Sequence, residues 1–438
     1  MSGEGAAAVR VQPAAPGAKV TRLELFFDLV FVFAFIHLNT LTVESLDVGG
    51  LLGIFFLLAV LWLVWSRFAV LGNNLRADQG IMPILGFAIM TAIFVSVAIL
   101  PESSDDAASP PPSVAWSVPS ELVFPACYCL IWVLEILALR YAAQRLPSLR
   151  SIWWRTTPAL LFSTVLLVLA ALLPPRLGGD AELAAFICLW VAAIAIAYLA
   201  VLPTKVLTMV SAGHWAERHA QIVLIALGES VISLGIGADL LGGAPLMVPL
   251  IGAAVLGIAL ICALWWTYFD ARSIAAEQIL HRTHGVARLR LARDAYTLLH
   301  FPMVFGIILL ALGIKQVLAH LASLSNNAEP AVLEPIHLRV LYGGVLLYLL
   351  ALLAFQARTI RMVHAVSVAP VVVLGVLLPL AERMPPLLAL ALLSLVVLTA
   401  TIVENRRNSG QRQELRNSRL AEQQALEGEE TSWRSRHQ

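Results

Sequence analysis

Charge is scarce in this chain. Asp, Glu, Lys and Arg together make up 13% of its 438 residues, while 59% are hydrophobic; soluble domains run near ~25% charged and ~45–50% apolar. That balance excludes a water-soluble globular protein and, with a mean hydropathy of +0.84, points to a polytopic membrane protein. The formal net charge of +1 gives no basis for a nucleic-acid partner. Cysteine is almost missing: Cys127, Cys129, Cys188 and Cys262 all lie in apolar runs, where they read as small buried hydrophobes. Cys127 and Cys129 would point about 200° apart on a helix, which suits neither a disulfide nor a metal. No metal site is implied elsewhere, since His281 and His284 lie in a basic loop poor in acids. The chain has no His-Glu-x-x-His, Gly-x-Ser-x-Gly, Walker A or Gly-x-Gly-x-x-Gly signature, so no enzyme and no cofactor are expected. Neither Lys205 nor Lys315 sits in mid-span, which argues against a retinal protein. No cleavable leader is expected either, because the first apolar run is too long and keeps its acids.

What the chain does have is apolar runs long enough to cross a bilayer, at about twenty residues each. They fall near 23–42, 50–71, 81–100, 121–140, 156–174 and 182–203, then near 219–238, 246–269, 293–317, 336–356, 364–381 and 386–404. The reading is all-α, with about twelve transmembrane helices. Basic residues collect in alternate loops, at Arg67 and Arg76, Arg140 to Arg155, Lys205 and Arg218, Arg272 to Arg293, Arg358 and Arg361, and Arg406 and Arg407. The other loops hold only Arg176, Lys315, Arg339 and Arg383, together with an acidic, proline-rich stretch at 101–120. By the positive-inside rule both termini are cytoplasmic and the chain is a multi-pass plasma-membrane protein.

The chain also reads as doubled. A tail at 1–22 precedes one six-helix half at 23–204; a second half follows at 205–404, and a polar tail at 405–438. Glu24 and Glu217 open the two halves, and Trp62 and Trp65 of the second span match Trp265 and Trp266 of the eighth. Such halves would be related by an axis along the membrane normal. The tail has leucines too sparse for an amphipathic face and reads as solvated and partly helical.

Acids inside apolar spans are the candidates for function, because a charge at a helix centre costs roughly 2.5–3.5 kcal/mol on insertion scales. Glu24 and Asp28 stand four residues apart on one face of the first span, in line with Phe31, Phe35 and Asn39. Glu229 falls near the middle of the seventh span, beside a small-residue ridge of Ser230, Ser233 and Gly237. His300, with Tyr296 one turn away and Pro302 loosening the helix beyond, is its natural proton-relay partner. The competing reading makes Glu229 and His300 interhelical hydrogen-bond struts. Arg67, Glu135, Gln221, Asp270 and Gln356 fall at the depth of Asp28, as a vestibule of salt bridges or as ordinary pairing of helix ends.

The segments Arg22-Leu-Glu24-Leu-Phe-Phe27-Asp28-Leu-Val-Phe-Val-Phe33, Glu217-Arg218 through Gly228-Glu229-Ser230, Trp265-Trp266-Thr-Tyr268-Phe269-Asp270, and His300-x-Pro302 with Gly306 resemble those of the bacterial low temperature requirement protein A family. The resemblance covers most of residues 20–310 and implies an integral membrane protein named for cold growth. It implies no substrate, reaction or catalytic residue. From the residues, the expected activity is proton-coupled secondary transport of a small solute or ion, with Glu229, Asp28 and His300 as coupling groups and Glu24, Tyr296 and Ser230 beside them. The alternative is a non-transporting membrane scaffold or stress-adaptation factor whose buried polar residues only join helices. An intramembrane enzyme acting on lipid, with Glu229 and His300 as acid and base, is a third possibility.

Overall fold

The computed structural model describes residues 17–40, 46–99, 120–143, 150–201, 209–237, 248–323, 333–407 and 409–437. The acidic stretch expected to face outward at 101–120, and Arg145 and Lys205, fall outside the described residues, apart from Ser120, which opens a helix. The described elements are helical. In chain order they are α1 (Arg22–Thr40), α2 (Val48–Asn74), α3 (Met82–Ala98), α4 (Ser120–Ala142), α5 (Arg150–Leu172), α6 (Gly179–Val201), α7 (Ala212–Gly237) and α8 (Val248–Phe269). Then come α9 (Arg272–Arg282), α10 (Gly285–Leu291), α11 (Leu299–Ser323), α12 (Pro335–Thr359), α13 (Ala365–Ala381), α14 (Pro386–Arg407) and α15 (Ser409–His437). Among the described residues ten helices are long and apolar enough to cross a membrane, and α3 and α13, at 17 residues each, are shorter apolar helices.

Local chemistry sets the starts. Thr21 and Glu24 form a reciprocal cap: the Glu24 amide donates to Thr21 Oγ1 (3.3 Å), and the Thr21 amide and hydroxyl donate to Glu24 Oε2 (2.9 Å each). Ser211 caps α7 through the His214 amide (3.2 Å), and Asp47 caps α2 through the Gly50 amide (2.7 Å). The helix faces are sorted for lipid: Phe26, Leu29, Phe87, Phe162, Leu199, Val255 and Val376 are exposed, while the carboxylates of α1 are buried. Outside the bundle only hydrocarbon contacts are favourable, so polar groups turn inward to find partners.

Among α1 to α6, α1 packs on α3, α3 on α4, α4 on α5, α5 on α6, and α6 returns to α2. Further along the chain α7 packs on α11, α11 on α12, α12 on α13, α13 on α14, and α14 on α8. The tightest contact is α11 on α12. A Cβ at Gly344 would lie 2.6 Å from the Leu310 nitrogen and 2.7 Å from the Gly306 oxygen, so the two backbones touch because neither glycine has a side chain.

Three expectations need correction. The apolar pattern opens the seventh span at 219, yet α7 begins at Ala212, so His214 and Arg218 are helical too, and both are buried like His219. Glu229 therefore lies past the middle of α7, about 12 Å from Gly237 and about 25 Å from Ala212 at 1.5 Å per residue. The tryptophan pairs also differ: Trp62 and Trp65 are buried and stacked at 4.9 Å, whereas Trp265 and Trp266 are about two-fifths exposed. Trp266 Nε1 donates instead to Asn405 Oδ1 (3.1 Å).

The third correction concerns the C-terminal segment, which is one continuous helix strapped to the bundle. Arg412 Nη1 reaches Asp270 Oδ2 (2.5 Å), Arg416 also binds Asp270, and Gln278 Nε2 donates to Ser418 Oγ (3.2 Å). Spacing of four residues puts Arg412 and Arg416 on one stripe, so charge rather than leucine holds this helix. Asp270→Asn should raise the rate of trypsin cleavage within α15 in membrane vesicles about 5-fold, by freeing the helix more often. Equal rates in both proteins would show that α15 is held by other contacts.

Candidate functional site

The site lies between α1 and α7, which run parallel in a fixed register. Glu24 meets His214, Asp28 meets Arg218, and Asn39 meets Glu229, each pair 190 positions apart. Equal spacing on both helices follows from the shared 3.6-residue period: groups at i, i+4 and i+15 return to the same face of each. The seam has two polar tiers.

The first tier is near the helix starts. Asn73 of α2 accepts from the Val210 amide through Oδ1 (2.9 Å), which fixes its amide nitrogen toward the Ser211 oxygen (2.6 Å) and His214 Nδ1 (3.2 Å). With Nδ1 accepting, His214 carries its proton on Nε2 and donates to Glu24 Oε1 (2.9 Å). Arg218 Nη1 donates to Asp28 Oδ2 (2.6 Å) and to the Glu24 backbone oxygen (3.0 Å), and its Nε stands 3.8 Å from Glu24 Oε1. Trp65 Nε1 donates to the other oxygen of Asp28 (2.9 Å), and the Arg218 guanidinium sits 5.4 Å from the Trp65 ring centre. Gly72 of α2 leaves space for Glu24: a Cβ there would collide with Oε1. Arg218 and both acids have 1% exposure or less.

The second tier is further along. Glu229 Oε1 accepts from Asn39 Nδ2 (2.7 Å) and Ser233 Oγ (2.5 Å), while Oε2 has no hydrogen-bond partner among the described residues. Between the tiers lie Phe31, Ala34 and Phe35 of α1 and Ile222, Val223 and Ala226 of α7, all buried. Asp28 and Asn39 are about 16 Å apart along α1, so this apolar layer separates the tiers.

His300 belongs to neither tier. Its Nδ1 donates to the Ala295 oxygen (3.0 Å) and its Nε2 accepts from Tyr268 Oη (2.8 Å). It stacks on Tyr296 at 5.3 Å and meets His219 edge-on at 5.2 Å. His219 is ten residues, or about 15 Å, from Glu229 along α7, so a direct Glu229–His300 relay is not formed. The Ala295 oxygen is available because Ala292–Leu298 form a π-helical turn whose shifted bonding frees carbonyls. Tyr296 is on the predicted face, but Ser230 is not a partner of Glu229; its hydroxyl bonds back to the Ala226 oxygen (3.3 Å).

The vestibule expected around Asp28 divides into separate pairings. Arg67 and Glu135 form a buried ion pair joining α2 to α4. Arg272 Nε donates to Gln356 Oε1 (3.0 Å) and its Nη2 to Glu404 Oε1 (2.6 Å), and Asp270 holds α15. The residues missed by pattern reading are Arg218, His214 and His219. Their signal was present: His214 and Arg218 repeat the four-residue spacing of Glu24 and Asp28 with opposite character.

The family model described as bacterial low temperature requirement A protein matches residues 19–402 of the chain. An uncharacterized protein of Rhizobium meliloti (strain 1021) is 26% identical over 313 residues, covering 68% of this chain and 69% of that protein. No solved structure matches.

Proposed function

The chain belongs to the bacterial low temperature requirement A family, and on that premise we propose that it is a proton-coupled secondary transporter of a small solute or ion, with no catalysed reaction. The observation that carries this reading is the Glu229 carboxyl, fully buried, with one oxygen held by Asn39 and Ser233 and the other unpartnered among the described residues. Two neutral donors on one oxygen leave the second free to carry a proton. The first tier supports it too. Two carboxylates, Glu24 and Asp28, face one guanidinium, so neutrality there needs one further proton, which either acid can hold. Phe31 and Phe35 then act as the barrier that opens when α1 and α7 shift, exposing one tier at a time. His300 stays outside both tiers and reaches the first only by ring contacts, through His219 (5.2 Å) to Trp65 (5.0 Å).

In this reading the protein has twelve spans in two six-helix halves, lies in the plasma membrane and keeps both termini in the cytoplasm. The repeated neighbour order supports the halves, as do the matching hydroxyl caps at Thr21 and Ser211, 190 positions apart. The arginine-rich helix ends support the orientation. Residue 20 and the start of α15 meet the same end of the bundle: the Val20 amide lies 3.5 Å from Glu217 Oε2, and α15 binds Asp270.

A scaffold is the second reading, favoured by Arg218, whose ion pairs join α1 to α7 as a structural clasp would. Cold-growth complementation by variants inserted at equal levels separates the two. Under coupling, Glu229→Gln should abolish activity and Glu229→Asp should keep part of it, because only Asp titrates. Full activity of Glu229→Gln would refute coupling and leave the scaffold.

A further inference from the structure

A groove of about 720 Å³ opens where α9, α10 and the end of α12 meet. It lies at the same end of the bundle as the start of α7, since Gly213 faces the side chains of Glu277 and His281 of α9. Arg290, Arg358 and Arg361 line it, with Ile279, Val286 and Leu291 as an apolar wall. The charge there is not neutralised. Asp294 is shared by Arg293 (2.6 Å) and Arg358 (3.0 Å), one carboxylate between two guanidiniums. Arg290 and Arg361 are exposed, and their side chains make no ion pair or hydrogen bond among the described residues.

Arg361 also has an unusual backbone. With φ at 60° it is the only non-glycine in the left-handed region among the described residues. It follows the end of α12, where its amide and that of Ile360 both bond the Gln356 oxygen (3.2 and 2.9 Å). This is the position where helices ordinarily carry glycine, which adopts that φ without strain. An arginine there projects a guanidinium into the groove at a conformational cost that glycine would avoid. Arg288 fixes the opposite wall, donating to the Leu280 and His281 oxygens (3.1 Å each) and so clamping α10 to α9.

We propose that this groove binds the phosphate group of an anionic ligand through Arg290, Arg358 and Arg361, the ligand being an anionic phospholipid headgroup or a free phosphate species. Guanidiniums present paired N–H groups that match phosphate oxygens. Basic pockets between helices at the membrane surface are suited to anionic headgroups. The apolar wall beside the arginines matches the start of an acyl chain, which a free phosphate lacks.

The test uses the full chain purified in neutral detergent, with thermal unfolding followed on addition of dioleoylphosphatidylglycerol, dioleoylphosphatidylcholine or inorganic phosphate. Wild type should be stabilised by phosphatidylglycerol and not by phosphatidylcholine. Arg290→Gln and Arg361→Gly should each weaken the apparent phosphatidylglycerol affinity ~10-fold, the loss of one charge-assisted hydrogen bond. Without lipid, Arg361→Gly should melt at or above the wild-type temperature, because glycine relieves the left-handed φ; this keeps the lipid effect distinct from misfolding. Stabilisation by inorganic phosphate that both variants lose would identify a free phosphate as the ligand. Equal stabilisation by the two lipids, or a phosphatidylglycerol effect unchanged in both variants, would overturn the proposal.

Discussion

Asp28→Leu alone should leave almost no monodisperse protein after detergent extraction, and Asp28→Leu with Arg218→Met should restore much of it. The single change strands the Arg218 guanidinium at 0% exposure with only the Glu24 carboxylate, 3.8 Å from its Nε, and one backbone oxygen. Removing one partner of a buried pair costs about 3–5 kcal/mol, whereas replacing both by apolar residues of similar size is often close to neutral. Fluorescence-detected size-exclusion chromatography after a heating step measures it. A single variant as stable as wild type would show that Asp28 is not the counter-charge that keeps Arg218 in the seam. The double variant is informative beyond stability. If it is folded yet fails to complement cold growth, the first tier has a role beyond holding α1 to α7; if it complements, the pair is a clasp.

The second large effect is expected at the α11–α12 contact. Gly344→Val should abolish correctly folded protein, because the new Cβ would meet backbone atoms, the Leu310 nitrogen at 2.6 Å and the Gly306 oxygen at 2.7 Å. Overpacking usually costs about 1–3 kcal/mol when side chains can move aside. Here no rotamer relieves the clash, so α12 must separate from α11 and expose Tyr348, whose hydroxyl donates to the Leu264 oxygen (2.9 Å). Gly343→Val is the control, since its Cβ would meet nothing within 4 Å. Equal yields of the two variants would refute the close approach of α11 and α12.

The sequence by itself determined the helical membrane architecture and the location of the apolar segments. That information is in composition and run length, and hydrocarbon enforces it locally: every backbone group inside must be satisfied within its own helix. Glu24, Asp28 and Glu229 were also legible, because an acid in an apolar run is conspicuous without any partner. The partners were not. Arg218 looked like one more positive residue at a helix end until α7 proved to start seven residues earlier, an extension in which His214, Glu217 and Arg218 interrupt the apolar run. His300 and Glu229 looked like neighbours because both fall within apolar runs, yet His300 faces His219 and Glu229 faces Asn39. Only the tertiary structure decided this, through the 190-residue register of α1 against α7 and the seating of α11 beside them. A hydropathy pattern gives depth along one helix, whereas a hydrogen bond also needs the rotation and register of two, and those are fixed by packing between segments far apart in the chain.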